Sequence, residues 1–272
     1  MAFKEIAKKN YILAWFLRKK FGGFRYCSYL CVKITQDMEA TKGVYTYEYP
    51  RPSVTTDCVI FGYDVKEGLS VLLIERGIEP YKGRWAFPGG FLRMDETTEV
   101  GALRELKEET EFDVERGFLE QLGCFSDVDR DPRGRVITIA YYALVQKGAV
   151  KGGDDARNAQ WFPIGEIPQL AFDHEKILRM ALKHLKEQIH FQPIGFELLP
   201  DVFTMSQLQA LYEAILEVHF DRRNFANKMQ KLGVLEETGD RPKDAARTVP
   251  VHYRFNPDKY KEMKSKGFRL EF

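Results

Sequence analysis

Carboxylates cluster in one short stretch of the sequence, at a spacing that suits a divalent cation. Glu105, Glu108 and Glu109 follow one another at helical spacing, so on a helix they fall within an arc of about 100°. Arg104 precedes Glu108 by one helical turn and can hold that carboxylate in an ion pair. Clustered hard oxygen ligands are what Mg²⁺ or Mn²⁺ requires, usually shared with substrate phosphates. The stretch therefore predicts a metal site that serves a phosphate-bearing ligand.

The neighbouring segments have the composition needed to position these carboxylates. Helix-forming residues predict a helix over residues 97–110, whose apolar side chains lie opposite the glutamates. Gly89 and Gly90 precede the helix and allow a tight turn, in a segment that we interpret as a loop. Residues 53–61 and 69–75 predict a hairpin, and further strands are expected at 124–125, 135–145 and 161–163.

The same residues match the Nudix box, which is a glycine, five residues, a glutamate, seven residues and then Arg-Glu-apolar-x-Glu-Glu-x-Gly-apolar. The matching positions are Gly90, Glu96, Arg104, Glu105, Leu106, Glu108, Glu109 and Phe112. Six fixed matches arise by chance on the order of once in ten million start positions. Glu111 departs from the pattern, because the family has a helix-ending glycine there. A β-carbon at that position costs about 1 kcal/mol if its φ is positive.

The chain thus resembles Nudix hydrolases, and the resemblance implies a fold and a chemistry. The fold is an α/β/α sandwich with a mixed sheet, within an α+β chain. The three box glutamates would bind Mg²⁺ or Mn²⁺, and a water would attack a nucleoside diphosphate linked to another group. Arg104 and Glu105 belong to the catalytic set. The general base is Glu108, or Asp154 or Asp155 in the loop before Trp161.

Other residues near the box suit a diphosphate ligand. The loop at 127–135 offers three guanidinium forks for phosphate or ribose, from Arg130, Arg133 and Arg135, although a salt-bridged surface loop has the same composition. Arg76 ends a strand that faces the box loop in related folds, and it is a candidate for the second phosphate.

Aromatic residues in the same region could contact a base. Tyr81, Trp85 and Phe87 can stack on a planar ring, while Trp85 and Phe87 suit a core equally well. We include Trp85, with Gly89 and Gly90, among the expected ligand-binding residues.

The C-terminal part of the sequence has a different pattern. After a linker at 192–195, Thr204 and Gln207 form a capping box before an apolar helix. Asp221 begins a second helix, which runs to about Leu232, and segments 234–237 and 251–255 then flank a loop. Two helices followed by a hairpin are typical of a winged helix-turn-helix domain.

This part is also the basic end of the chain. Residues 221–272 hold thirteen Lys and Arg against eight Asp and Glu, although the whole chain has a net charge of only +1. The cations on the second helix and the proposed wing include Arg222, Arg223, Lys228, Arg241 and Lys243. They fit a phosphate-backbone footprint, while a solvated protein surface has similar charges.

A second resemblance covers about residues 45–258. PIGFELLPDVFTMSQLQALYEAIL and DRRNFANKMQKLGVLEE are similar to the C-terminal half of NrtR- and AraR-type Nudix regulators. Those are bacterial repressors whose Nudix domain senses a ligand, ADP-ribose in one branch and arabinose in another, and whose winged helices bind operator DNA as a homodimer. The resemblance implies that Arg222, Arg223 and Asn224 enter the major groove.

Length and composition suggest the domain organisation. We expect an extension over 1–44 that is weakly ordered or results from a misassigned start, a Nudix domain over 45–190 and a winged helix domain over 191–272. Four scattered cysteines indicate a reducing, cytoplasmic environment. The apolar run 11–17 is too short to cross a bilayer, which needs about 20 residues, so no membrane association is expected.

Two functions follow. The first is a dimeric transcriptional regulator whose Nudix domain binds an ADP-ribose-like or sugar ligand. The alternative is an active Mg²⁺-dependent ADP-ribose or ADP-sugar pyrophosphatase whose C-terminal module only assembles the dimer. The sequence leaves open whether the chain is a sensor, an enzyme or a repressor that destroys its own inducer.

Overall fold

The computed structural model describes residues 47–112, 114, 119–150, 152, 156–191, 194–239 and 250–265. Contacts divide the chain into two compact units, Met1–Arg51 and Pro52–Phe272, and every helix and strand named here lies in the second. The expected extension over 1–44 lies outside the described residues. Within the described ranges, no helix combines the length and the apolar character that crossing a lipid bilayer demands.

A mixed sheet forms the N-terminal part of this unit, as the resemblance implies. Its strands are β1 (Ser53–Asp64), β2 (Gly68–Arg76), β3 (Trp85–Ala86), β4 (Gly89–Phe91), β5 (Glu120–Phe125), β6 (Val136–Gln146) and β7 (Ala156–Pro163). The hairpin of β1 and β2 is confirmed, with Phe61 opposite Val71. β6 runs parallel to β1, whereas β5 is antiparallel to β6 and β7 is antiparallel to β2.

The segment with Gly89 and Gly90 is not only a loop. It forms β4, which pairs with the first half of β1, so that Gly89 lies opposite Asp57 and Gly90 opposite Thr56. A β-carbon on Gly89 would collide with the backbone of β1 at the Thr56 carbonyl oxygen. This close approach explains why glycine occupies a strand position that composition alone indicates as a turn.

Helices cover both faces of the sheet. They are α1 (Thr98–Thr110) and α2 (His174–Phe191). Side chains alternate along β1, because successive residues of a strand point to opposite faces. Val59 and Phe61 share one buried cluster with Ile177 of α2, and Ile60 shares the other with Leu106 of α1. The α/β/α sandwich is therefore confirmed.

The C-terminal part has the winged helix arrangement that the sequence predicts. Its elements are β8 (Phe203–Thr204), α3 (Met205–Leu216), α4 (Arg222–Lys231), β9 (Leu235–Glu237), β10 (His252–Phe255) and α5 (Pro257–Ser265). The capping box at Thr204 and Gln207 is present, and Asp221 caps α4. β10 pairs with β8 and with β9. α5 is not among the predicted helices, although Asn256 caps it by accepting from the Lys259 amide at 2.9 Å and Pro257 is its first residue.

The winged helix and the sheet share one hydrophobic core. Leu211 and Tyr212 of α3 belong to the same buried cluster as Phe61 and Leu185. Polar contacts reinforce the junction, because the Gln146 side-chain amide donates to the Leu199 carbonyl oxygen at 2.7 Å. A ligand or mutation that shifts the sheet can therefore act on the winged helix directly.

Candidate functional site: the acidic helix and the adjacent cleft

Arg104 organises the carboxylates of α1. Its guanidinium contacts Glu96 at 2.6 Å, Glu105 at 2.7 Å and Glu108 at 2.9 Å. The ion pair between Arg104 and Glu108 that their spacing predicts is thus present. Hydrogen bonds from Arg104 lower the pKa of Glu96 to about 2, so that Glu96 is a permanent anion at the start of the helix.

Glu109 is held differently, because it faces the glycine strand. The Gly89 amide donates to Glu109 Oε2 at 2.8 Å, and the glutamate is buried. Burial raises the pKa of Glu109 to about 8, and burial also raises the pKa of Glu105. A β-carbon on Gly90 would lie 2.5 Å from Glu105 Oε1, so this glycine makes room for a carboxylate.

The expected metal ligands have suitable chemistry, but they are not assembled as a cage. In the part of the chain that the structure describes, no three His, Cys, Asp or Glu side chains converge closely enough to hold a metal ion. Arg104 draws Glu105 and Glu108 toward itself, while Glu109 turns to Gly89. Carboxylate oxygens are the hard donors that Mg²⁺ prefers, and Glu109, whose pKa is raised, would have to give up its proton to serve as one. The metal site stays a prediction.

A narrow cleft lies beside β4. Its interior space is only about 50 Å³. It is lined by Thr55, Asp57, Arg76, Ala86, Phe87, Gly89, Gly90, Phe91, Arg130, Asp131, Arg133, Phe172 and His174. The structure thus brings together five of the expected ligand-binding residues, namely Arg76, Gly89, Gly90, Arg130 and Arg133.

The Arg130 guanidinium is paired with two carboxylates inside the cleft wall. Its guanidinium makes two hydrogen bonds to Asp173, at 2.7 and 3.1 Å, and lies 3.6 Å from Asp57. The Arg130 side chain is only 3% exposed. Because both neighbouring carboxylates are buried or nearly so, this guanidinium is needed to neutralise them.

His174 completes this buried cluster at the first residue of α2. Its Nδ1 accepts a hydrogen bond from the Phe87 amide at 3.0 Å, and its Nε2 lies 3.5 Å from Asp57 Oδ1. Burial lowers the pKa of His174, so the ring is neutral and carries its proton on Nε2, toward Asp57. Sequence reasoning missed Asp57, Asp173 and His174. The one local signal was an aspartate inside the otherwise apolar strand β1.

Aromatic rings and arginines form the outer wall of the cleft. The Arg133 guanidinium carbon lies 4.7 Å from the Phe91 ring centre and 5.4 Å from that of Phe172. Arg76 also lies over Phe172, at 4.9 Å, and its Nε donates to the Pro80 carbonyl oxygen. The Phe172 ring contacts Tyr81, with centres 4.9 Å apart.

Other expected ligand-binding and catalytic residues lie elsewhere. Trp85 packs edge-on against Phe162, with ring centres 4.6 Å apart, and is not among the cleft-lining residues. Arg135 donates to the carbonyl oxygens of Ser126 and Asp127. Asp155 and the alternative base Asp154 lie outside the described residues.

The winged helix exposes cations at the start of α4. This end of α4 exposes Arg222, Arg223 and Asn224. The Asp221 side chain caps the helix here by accepting from the Asn224 amide at 2.9 Å. Lys228 is half-buried. The opposite side of α4, with Phe225, belongs to the shared core. Arg241 and Lys243 of the expected wing lie outside the described residues.

Comparisons with known proteins agree with this architecture. A family model for the NUDIX domain matches residues 51–181, and one for the NrtR DNA-binding winged helix domain matches residues 195–255. The chain is 34% identical to the ADPR responsive transcriptional repressor NtrR of Acinetobacter baylyi over 213 residues, which are 76% of this chain and 84% of the relative.

Two further proteins resemble this chain, the first over about half of its length and the second over most of it. An ADP-ribose pyrophosphatase of Methanocaldococcus jannaschii is 44% identical over 131 residues, covering 48% of this chain and 73% of that protein. The crystal structure of Shewanella oneidensis NrtR with a 27mer DNA has a TM-score of 0.65 and 29% identity, and the match covers 80% of this chain and 97% of that one. The chain therefore belongs to the NrtR family, in which a Nudix domain precedes a winged helix domain.

Proposed function

We propose that this chain is a transcriptional regulator that binds ADP-ribose, or a closely related nucleoside diphosphate sugar, in the cleft beside β4 and binds operator DNA through α4. The observation that carries the proposal is the two-sided character of α4. One side presents Arg222 and Arg223 to solvent, and the other buries Phe225 in the core shared with the sheet. The A. baylyi relative is by its name a repressor that responds to ADP-ribose.

Regulation requires that ligand and DNA favour different states of the protein. Contacts between the Nudix domain and the winged helix supply a physical route, because Lys186 of α2 pairs with Glu217 at the end of α3, at 2.8 Å. ADP-ribose is expected to change the DNA affinity when both are present. Arabinose, titrated in the same way, is the matched uncharged ligand. A DNA affinity that neither ligand alters would contradict the regulatory part of the proposal.

Charge reversal at the start of α4 tests the DNA-binding surface. The Arg222→Glu, Arg223→Glu double variant should lose detectable binding to double-stranded DNA, because two phosphate-directed cations become anions. Fluorescence anisotropy over a salt series measures the affinity and its salt dependence.

The matched control is Lys183→Glu on the exposed side of α2, where the side chain is 76% exposed. It changes the net charge in the same direction and should leave the affinity within about twofold. If the α4 double variant binds DNA as the unmodified protein does, α4 is not the recognition helix.

We further propose that the protein acts as a homodimer on a two-fold operator. Two copies of α4 would then read half-sites about 34–36 Å apart. Light scattering of the purified protein, alone and with operator DNA, measures the stoichiometry. A monomer on DNA would contradict this arrangement.

The acidic helix favours a second candidate function, which is Mg²⁺-dependent hydrolysis of the same ligand. Glu105, Glu108 and Glu109 would hold the metal, which neutralises diphosphate oxygens and lowers the pKa of a bound water. Arg104 holds Glu105 and Glu108 in place by its ion pairs. The general base would be Glu108 or one of the aspartates at 154 and 155.

AMP release from ADP-ribose tests this second function. The unmodified protein with Mg²⁺ should release AMP, and Glu108→Gln should lower the rate at least a hundredfold, because it removes an anionic ligand or base. Glu187→Gln on the exposed side of α2 makes the same chemical change away from the site and should keep full activity. Absence of AMP from the unmodified protein would leave the box as part of a sensor.

A further inference from the structure

Phe172 in the cleft wall, and Tyr81, whose ring contacts it, both have a backbone conformation that residues with side chains rarely adopt. Non-glycine residues with positive φ within the described ranges are Tyr81, Glu111, Phe172 and Glu217. Glu111 and Glu217 end helices α1 and α3, where this conformation is common. Tyr81 and Phe172 do not end helices, yet they contact each other. Strain of this kind concentrates at ligand clamps, because the surrounding structure must enforce it.

Phe172 also forms a slot with Phe91, and the slot is filled by a side chain. The same Arg133 guanidinium lies over both rings, at 4.7 and 5.4 Å. Phe91 is 43% exposed, so part of its side chain is accessible from solvent. A guanidinium is planar and delocalised, so a slot that stacks it has the shape needed for another flat group.

The size of the cleft requires that something moves before a ligand binds. The interior space of about 50 Å³ is far below the roughly 300–1,000 Å³ of pockets that hold ligands of this size. Arg130 cannot leave without exposing Asp57 and Asp173 as buried, unpaired carboxylates. The Arg133 side chain is 36% exposed, and its carboxylate partner among the ion pairs of the described residues is Asp131, whose side chain is only 2% exposed. If the guanidinium leaves, Asp131 still accepts a hydrogen bond from the Arg133 backbone amide at 2.9 Å. Departure of Arg130 would instead unpair two carboxylates. Arg133 is therefore the group that can leave most easily.

We propose that the slot between Phe91 and Phe172 is the subsite for the base of the nucleoside diphosphate ligand, and that the base displaces the Arg133 guanidinium. The inference rests on the proposed ligand class and assigns the position of the base end of the ligand. With the base stacked in the slot, the diphosphate would lie toward Gly89 and Gly90, which also line the cleft. Aromatic faces bind bases by stacking with little dependence on base identity.

Probes with and without a base test the slot. Calorimetric titrations would use ADP-ribose and AMP, which carry the base, and ribose 5-phosphate and pyrophosphate, which do not. Phe91→Leu and Phe172→Leu should each weaken ADP-ribose and AMP about tenfold, since leucine has no stacking face. Both variants should bind ribose 5-phosphate and pyrophosphate within twofold of the unmodified protein. Equal weakening of all four probes would overturn the assignment.

Two controls keep the test specific. Met94→Leu changes a side chain that is 74% exposed just after β4, and it should alter none of the affinities. Circular dichroism and thermal unfolding of each variant exclude misfolding as the cause of a loss. If the unmodified protein does not bind ADP-ribose, the proposed function and the slot both fail. If it binds and the two Phe variants bind equally well, only the slot fails.

Arg133→Ala tests the displacement itself. Removal of the competing guanidinium should strengthen ADP-ribose binding a few-fold and leave pyrophosphate binding unchanged. A loss of affinity for ADP-ribose and pyrophosphate together would mean that Arg133 binds phosphate, and it would overturn the displacement.

Discussion

Arg104 contacts three carboxylates, and the pKa values of two of them shift in opposite directions. The pKa of Glu96 falls to about 2, because hydrogen bonds from Arg104 dominate its surroundings. The pKa of Glu105 rises despite the same guanidinium, because burial outweighs the ion pair. Arg104 alone therefore does not keep every carboxyl group of the acidic helix ionised. A bound metal ion would lower the pKa of Glu105 and would compete with its proton.

Glu111 shows what a single departure from the Nudix box costs. Its φ is 55°, the left-handed conformation in which the family has glycine, and its amide still donates to the Lys107 carbonyl oxygen at 3.0 Å. The helix therefore ends where it should, and the β-carbon is tolerated at a cost of about 1–2 kcal/mol.

Glu111→Gly should consequently stabilise the protein. The gain should be about 0.5–1 kcal/mol, because glycine relieves the strain but adds entropy to the unfolded chain. Urea unfolding measures the free energy. Glu111→Ala retains the β-carbon and should give no gain. A destabilised glycine variant would mean that contacts of the Glu111 side chain outweigh the strain.

Helices and caps that depend on neighbouring residues could be predicted from the sequence, whereas the pairing of strands that are distant along the chain could not. The helix at 97–110 and the capping box at Thr204 depend on residues within one turn, so the sequence predicted both within a residue or two. β4 was interpreted as a loop, because its strand character comes from pairing with β1, more than thirty residues earlier. Two glycines give no local indication of that pairing.

The site followed the same rule. The box glutamates were predictable, because their spacing and the helix that positions them are local. The cluster of Asp57, Arg130 and Asp173 was not, because it joins β1, a loop and the start of α2. Arginine-rich composition indicated phosphate binding for Arg130, whereas the structure pairs its guanidinium with two carboxylates of the cleft wall. Only the tertiary fold brings those partners together.

For the whole molecule, the shared core predicts that the two domains unfold together. Leu211 of α3 is fully buried in the cluster that also contains Phe61 of β1. Leu211→Ala should cost about 2–5 kcal/mol, because it leaves a cavity. In a Trp15→Phe background, the same loss should be seen by tryptophan fluorescence, which then reports on Trp85 and Trp161 in the Nudix domain, and by circular dichroism of the whole chain.

Val218→Ala is the matched control, since its side chain is 44% exposed and should matter little. A fluorescence midpoint that stays unchanged in Leu211→Ala, while the circular dichroism midpoint falls, would mean that the winged helix unfolds independently.

The course of α2 has a mechanical consequence. The helix starts at His174, in the wall of the cleft, and its eighteen residues span about 27 Å. Near its far end, Lys186 is joined to the winged helix through Glu217. A rigid rod pivoting by about 5° at the cleft moves its far end by about 2 Å, which is the scale of the helix shifts that switch protein interfaces. A small rotation of α2 at the cleft is thus amplified into a larger displacement at the winged helix.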